Sequence, residues 1–157
     1  MHVYLDASAL CKAFVVESGS DAVADLLDAE EPSSTSSMSL VEVASAINRL
    51  IREGALEASA GDPILSGLAT RSIRLPAIVE LSAEVASTAI GLLGRHPLKA
   101  SDAVQLASAV TDSAALFVSS DRRLLEAAHA EGLKCFDPTD PGAPAESASA
   151  SRGDDLG

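Results

Sequence analysis

At 157 residues the chain has the length of one domain, enough to bury about two-thirds of the surface its unfolded form would expose. Hydrophobic residues make up 47% and aromatics only 3%, which excludes a disordered chain and predicts a core of Ala, Leu and Val at short spacing, suited to helices laid against a sheet. The formal net charge of −12 argues on its own against a surface that grips phosphates, and at least as strongly for a basic protein partner.

Val3 to Leu5 is a short apolar run ending in Asp6, and Ala7 to Val16 continues with helical spacing through Leu10, Ala13 and Phe14. Gly19 and Ser20 interrupt it, and Val23, Leu26 and Leu27 form the apolar stripe of a second helix ending near Glu31-Pro32. Ser33 to Ser37 reads either as a flexible linker or as a short strand, and the strand is the expectation taken forward. From Ser39 a helix runs through Val43, Ile47, Leu50 and Ile51 until Gly54. Asp62-Pro63 is expected to open another short helix, because proline at the first helical position gives up no needed donor.

Ile73 to Ile78 is expected to be a short strand confined by Pro76 to an edge or an end, followed by a helix from about Ser82 to Leu93. After His96-Pro97, Ser101 to Val110 is helical, Ala115 to Val118 a buried strand, and Asp121 to Ala130 helical again. Gly132 ends that helix and Lys134 to Phe136 is the last strand expected. The remainder is dominated by Pro, Gly, Ala and Ser without periodicity, so a body of residues 1–138 and a disordered tail of 139–157 are expected. Strands alternating with helices predict an α/β sandwich around a mainly parallel sheet.

Residues 137–157 carry Asp137, Asp140, Glu146, Asp154 and Asp155 against Arg152 alone, so part of the acidity belongs to the tail. Cys11 and Cys135 form no Cys-x-x-Cys pair, and His2, His96 and His129 are scattered, which speaks against a zinc site or a disulfide framework. The sequence has no run of 18 or more apolar residues, and its N-terminus reaches Asp6 without a basic segment or an apolar stretch long enough for export, so the protein is expected to be cytoplasmic, with no membrane association.

In an open α/β sheet, ligands collect beyond the carboxyl ends of the strands. Asp6 and Asp121 each follow a strand, and Glu42 and Asp102 each fall in the first turn of a helix that would flank the same crevice. Taken singly, each acid also reads as a helix cap: Ser39-Leu40-Val41-Glu42 fits a capping box, and Asp6, Asp102 and Asp121 suit helix N-termini. Taken together, four converging carboxylates would repel one another unless a divalent cation joined them. Mg²⁺ or Mn²⁺, held by a few carboxylates and a substrate phosphate, could then activate water toward a phosphodiester. Lys12, Arg122 and Arg123, close in sequence to these acids, read either as phosphate contacts or as a solvated face.

Val3-Tyr4-Leu5-Asp6-Ala7-Ser8-Ala9-Leu10, Ser39-Leu40-Val41-Glu42-Val43, Leu98-Lys99-Ala100-Ser101-Asp102-Ala103 and Val118-Ser119-Ser120-Asp121-Arg122-Arg123-Leu124-Leu125, in this order and at these intervals, resemble the PIN-domain ribonucleases, especially VapC-type toxins of toxin–antitoxin pairs. The resemblance covers about residues 1–138 and implies a PIN-like three-layer α/β/α sandwich and Mg²⁺- or Mn²⁺-dependent hydrolysis of RNA. It further implies Asp6, Glu42 and Asp102 as the main metal-site acids, Asp121 in support, and Ser8 and Ser119 as hydrogen-bonding neighbours. A cognate antitoxin, expected from the charge to carry a basic segment, and a homodimer are likewise implied. Ala7 departs from the Thr or Ser of many relatives and removes one hydroxyl from the neighbourhood. Two other readings stand beside this one: a catalytically silent interaction module with the same fold, and a magnesium phosphatase using Asp6 as nucleophile. Ser8 stands where the phosphatase reading wants a second aspartate.

Overall fold

The computed structural model describes residues 1–140; residues 141–157, most of the expected tail, lie outside the described residues. Thr139 and Asp140, also assigned to that tail, are folded over Asp137, whose carboxylate accepts from the Thr139 amide and hydroxyl. Five strands form one sheet in the order β3-β2-β1-β4-β5: β1 (Val3–Leu5), β2 (Ser33–Ser36), β3 (Ala77–Val79), β4 (Leu116–Val118) and β5 (Lys134–Phe136). Every pairing is parallel. Seven helices complete the described residues: α1 (Ala7–Cys11), α2 (Ser20–Asp28), α3 (Ser37–Arg52), α4 (Ala58–Thr70), α5 (Ala83–Arg95), α6 (Ala100–Thr111) and α7 (Arg122–Ala130). None is long and apolar enough to cross a membrane.

The period-two alternation of strand side chains sorts the core into layers. Tyr4 and Phe117 point to one face, stack with ring centroids 5.5 Å apart, and pack against α5, α6 and α7 through Val85, Leu92, Leu106 and Leu124. Val3, Leu5, Leu116 and Val118 point to the other face and bury Val23 of α2. A third cluster joins α1 to the α3–α4 pair through Leu10, Val43, Ile47 and Leu68. The three-layer α/β/α sandwich with a parallel sheet expected from the sequence is what forms.

The serine-rich segment is a strand because its hydroxyls are satisfied within the fold. Thr35 donates to the Leu5 carbonyl at 2.7 Å, Ser34 meets His2 Nε2 at 3.0 Å, and Ser36 caps α3 by accepting from the Met38 amide. Gly19 caps α2 at φ +88°, and a Cβ there would stand 2.6 Å from the Pro138 carbonyl oxygen, so the end of the described body closes onto the start of α2 through a residue that must lack a side chain.

Four expectations change. The first helix stops at Cys11 because the chain tightens into i→i+3 bonds, Ala13 N to Leu10 O and Phe14 N to Cys11 O. Phe14 and Val15 still pack on the third cluster, which is why their spacing reads as helical. α3 starts at Ser37 with Ser36 as its cap, so Ser39 is buried inside the helix and Glu42 lies in its second turn. The capping box is thereby overturned. α4 begins at Ala58 and carries Pro63 internally, at an exposed position where water can satisfy the freed Ser59 carbonyl. The third strand is Ala77–Val79, beginning just after Pro76, on the sheet edge where a proline costs least.

Candidate active site

β1 is followed in sequence by β2 on one side of it and paired with β4 on the other, so its carboxyl end is a topological switch point, where loops part and leave a crevice. Leu5 pairs with Val118, which sets Asp6 beside Ser119. The Asp6 amide donates to the Val118 carbonyl at 3.1 Å, and Ser119 Oγ donates to Asp6 Oδ2 at 2.6 Å. Asp6 Oδ1 accepts from Ser8 Oγ at 2.7 Å and, as the cap of α1, from the Ala9 amide at 2.9 Å. Ser8 and Ser119 also receive the Ser120 and Asp121 amides, so the two loops are stitched through these hydroxyls. Asp121 caps α7 by accepting from the Arg123 and Leu124 amides at 2.9 and 3.2 Å.

Asp6 and Asp121 are therefore helix caps, as the local reading of each allowed. They are also neighbours: together with Glu42 and Asp102 they line one cleft of about 340 Å³. Asp102 reaches it from the first turn of α6 and Glu42 from α3. Ser8 is on the wall of this cleft, while Ser119 is fully buried behind Asp6.

The electrostatics record the crowding. Burial is the main cause pushing Asp6 from 3.8 to about 6; the bonds from Ser119, Ala9 and Ser8 oppose it, and the charge of Glu42 adds to it. Asp102 is raised as well, first by burial and then by Asp121 and Glu42, with Lys99 in partial opposition. Among the described residues, no group of three His, Cys, Asp or Glu side chains is arranged so that it could hold a metal ion by itself.

The expected cations divide. Lys12 lies in the cleft with its side chain 7% exposed, and its ammonium pairs with Glu17 at 3.0 Å. Arg122 and Arg123 are exposed at the start of α7 and do not line the cleft, although Arg49 does. A larger groove of about 580 Å³ runs between α3 and α4 past Leu40, Val41, Leu65 and Leu68, but its one charged residue, Arg71, is paired with Glu80, so the chemistry belongs to the smaller acidic cleft. Sequence reasoning passed over Gln105, a fully buried amide on α6 whose Nε2 donates to Glu42 Oε2 at 2.6 Å. The available sign was a polar residue one turn after Asp102 inside the apolar run from Ala103 to Ala109.

The PIN domain family matches residues 3–130. Over 140 residues the chain is 36% identical to Ribonuclease VapC45 of Mycobacterium tuberculosis (strain CDC 1551 / Oshkosh), spanning 84% of this chain and 92% of that protein. This chain belongs to the PIN-domain family. Within it the affinity is to VapC ribonucleases, and solved PIN-like folds superpose closely. FitAcB from Neisseria gonorrhoeae aligns with a TM-score of 0.65 at 16% identity, over 87% of this chain and 97% of that one. M. tuberculosis VapC20, a Sarcin-Ricin loop cleaving toxin, aligns with a TM-score of 0.62 at 18% identity, over 83% of this chain and 95% of its own.

Proposed function

We propose that this PIN-domain protein is a Mg²⁺- or Mn²⁺-dependent ribonuclease, the toxin of a toxin–antitoxin pair, with Asp6, Glu42, Asp102 and Asp121 as its catalytic acids. The observation that carries the reading is the gathering of these four carboxylates, from four separate segments of chain, around one cleft in which burial and mutual repulsion raise Asp6 and Asp102. Five carboxylates on the cleft wall face only Lys12, which is taken by Glu17, and the Arg49 guanidinium, so a cation from outside is the natural further counter-charge.

The donor set fits a hard divalent ion: oxygen ligands only, with Asp6, Glu42 and Asp102 as the principal holders and Asp121 in support. An ion that keeps several waters and shares phosphate oxygens, as Mg²⁺ commonly does, asks the fewest ligands of the chain. When bound, the ion would supply Lewis acidity toward the scissile phosphate and lower the pKa of the attacking water. The protein's own groups do the positioning. Ser8, Ser119 and the Ala9 amide fix both oxygens of Asp6, and α6 and α7 present Asp102 and Asp121 from their N-terminal ends. A carboxylate of the group would accept the proton of the attacking water as its oxygen bonds to phosphorus and the P–O3′ bond breaks, and the departing 3′ oxygen would take a proton from solvent, leaving a 5′ phosphate and a 3′ hydroxyl.

The same reading makes RNA the substrate, with Lys12, Arg122 and Arg123 as phosphate contacts; Lys12 must first exchange its bond to Glu17 for one to phosphate. It also makes the antitoxin a partner with a basic segment, drawn by the acidic cleft, and the protein a cytoplasmic homodimer with a catalytic body of residues 1–138. The deciding experiment is cleavage of purified RNA with Mn²⁺ or Mg²⁺ by the wild type and by Asp6→Asn and Asp102→Asn. Loss of cleavage in both folded variants supports the assignment, and retained cleavage rejects it.

A further inference from the structure

Gln105 is 1% exposed, set among Ala103, Leu106, Ala107 and Ala109 on the buried face of α6. A buried carboxamide in such surroundings needs partners for both ends. Its Oε1 accepts two hydrogen bonds, from Tyr4 OH at 2.7 Å and from Ser39 Oγ at 3.0 Å. Its Nε2 meets Glu42 Oε2 at 2.6 Å, the short length of a bond to a carboxylate. Chemistry fixes which way the amide points. Turned over, it would set a carbonyl oxygen against the Glu42 carboxylate with no proton between them, while as it stands two hydroxyls and one N–H each find an acceptor. Tyr4 cannot move, since it is fully buried and stacked on Phe117 in the centre of the sheet. Ser39 is fully buried as well. No donor among the described residues reaches Glu42 Oε1.

We propose that Gln105 is a positioning residue: clamped by Tyr4 and Ser39, it holds one oxygen of Glu42 against the cleft wall and leaves the other for a divalent cation. This rests on the reading of the cleft as a metal-dependent nuclease site, and it ties Tyr4 at the centre of the sheet to Glu42 through two hydrogen bonds in series, with Ser39 bracing the amide between them. Glu42 sits in the second turn of α3, where its own helix offers its carboxylate no capping amide, so the amide of α6 supplies the order that the Asp6 loop supplies to Asp6.

The test is Mn²⁺ binding by titration calorimetry without RNA, alongside kcat and KM for RNA cleavage and a thermal melt of every variant. Gln105→Met removes the donor at nearly constant volume and should weaken Mn²⁺ by at least about tenfold, the usual scale for loss of a group that orients a ligand. Tyr4→Phe leaves Ser39 on the amide and should weaken Mn²⁺ by a smaller factor, with kcat falling and KM for RNA unchanged. Val104→Ala, which trims the packing of α6 without touching this network, should lower the melting temperature and leave Mn²⁺ affinity at the wild-type value. Wild-type Mn²⁺ affinity in folded Gln105→Met, with binding abolished in Glu42→Gln, overturns the positioning role and keeps the nuclease reading. Should Gln105→Met not fold, unchanged Mn²⁺ affinity in Tyr4→Phe overturns it equally. A wild type that neither binds Mn²⁺ nor cleaves RNA overturns both.

Discussion

Replacing Asp6 by Asn should separate stability from activity in opposite directions. Folding takes this carboxyl from an ordinary 3.8 to about 6, chiefly by burial. At about 1.4 kcal/mol per pKa unit, keeping Asp6 ionised costs the metal-free protein about 3 kcal/mol at neutral pH. The sign follows from proton uptake: between about pH 4 and pH 6 the folded state holds a proton that the unfolded chain has released, so stability falls as pH rises through that window. Asn keeps an oxygen for Ser8 and the Ala9 amide, and Ser119 can rotate to accept from the new amide, so most of the hydrogen bonding survives. A net gain of about 2 kcal/mol at pH 8, or a rise of roughly 4–8 °C in melting temperature, is expected for a domain of this size. The assay is a pair of thermal melts in EDTA, at pH 8 and at pH 4.5, for wild type and Asp6→Asn, with RNA cleavage measured on the same samples. The variant should be the more stable protein at pH 8, lose that advantage at pH 4.5, and be inactive at both. A variant less stable than wild type at pH 8, or an advantage that does not change with pH, would refute the assignment of a desolvated, uncompensated charge.

Because Asp6 must shed its proton to take up a cation, Mn²⁺ affinity should climb about tenfold per pH unit as pH rises toward 6 and level off above it, as read by calorimetry. Glu131 is held at about 2 by the two-pronged Arg95 contact, both bonds 3.0 Å, and by His96 at 2.6 Å. Its contribution is present above the ordinary carboxylate value and is lost only as pH falls toward 2, so Glu131→Gln should cost about 1 kcal/mol in urea melts at pH 8, without changing cleavage. Gly67→Ala places a Cβ 2.2 Å from Ile73 Cγ2 and should destabilise by about 1–3 kcal/mol through overpacking, whereas Gly54→Ala, with open space around it, is strained only by its φ of +72° and should cost less.

Strand and helix order was readable because apolar periodicity in this chain follows burial closely: Val3, Leu5, Leu116 and Val118 face one layer and Tyr4 and Phe117 the other. The convergence of the four acids on one cleft was readable because Asp6 and Asp121 end buried strands and Asp102 lies in a helix's first turn, where an α/β sheet opens. What escaped depends on partners distant in sequence. Ser39 and Glu42 carry the local pattern of a capping box, but Gln105, 63 residues beyond Glu42, offers both a stronger partner, and Ser36 takes over the cap. Pro63 reads locally as a helix start, yet packing of Gly61 against Ile47 and Ile51 extends α4 one turn ahead of it. Lys12 gave no sign that Glu17 would occupy it, since the tightened turn after Cys11, and not a regular helix, brings the two together.

The central claim is that the acidic cleft at the end of β1 holds a divalent cation. An anomalous-scattering map from crystals of the full chain soaked in Mn²⁺ tests it without reference to any substrate. A peak bonded to oxygens of Asp6, Glu42 and Asp102 is the predicted result; Mn²⁺ found only at other acids of the surface, with this cleft unlabelled, would contradict it.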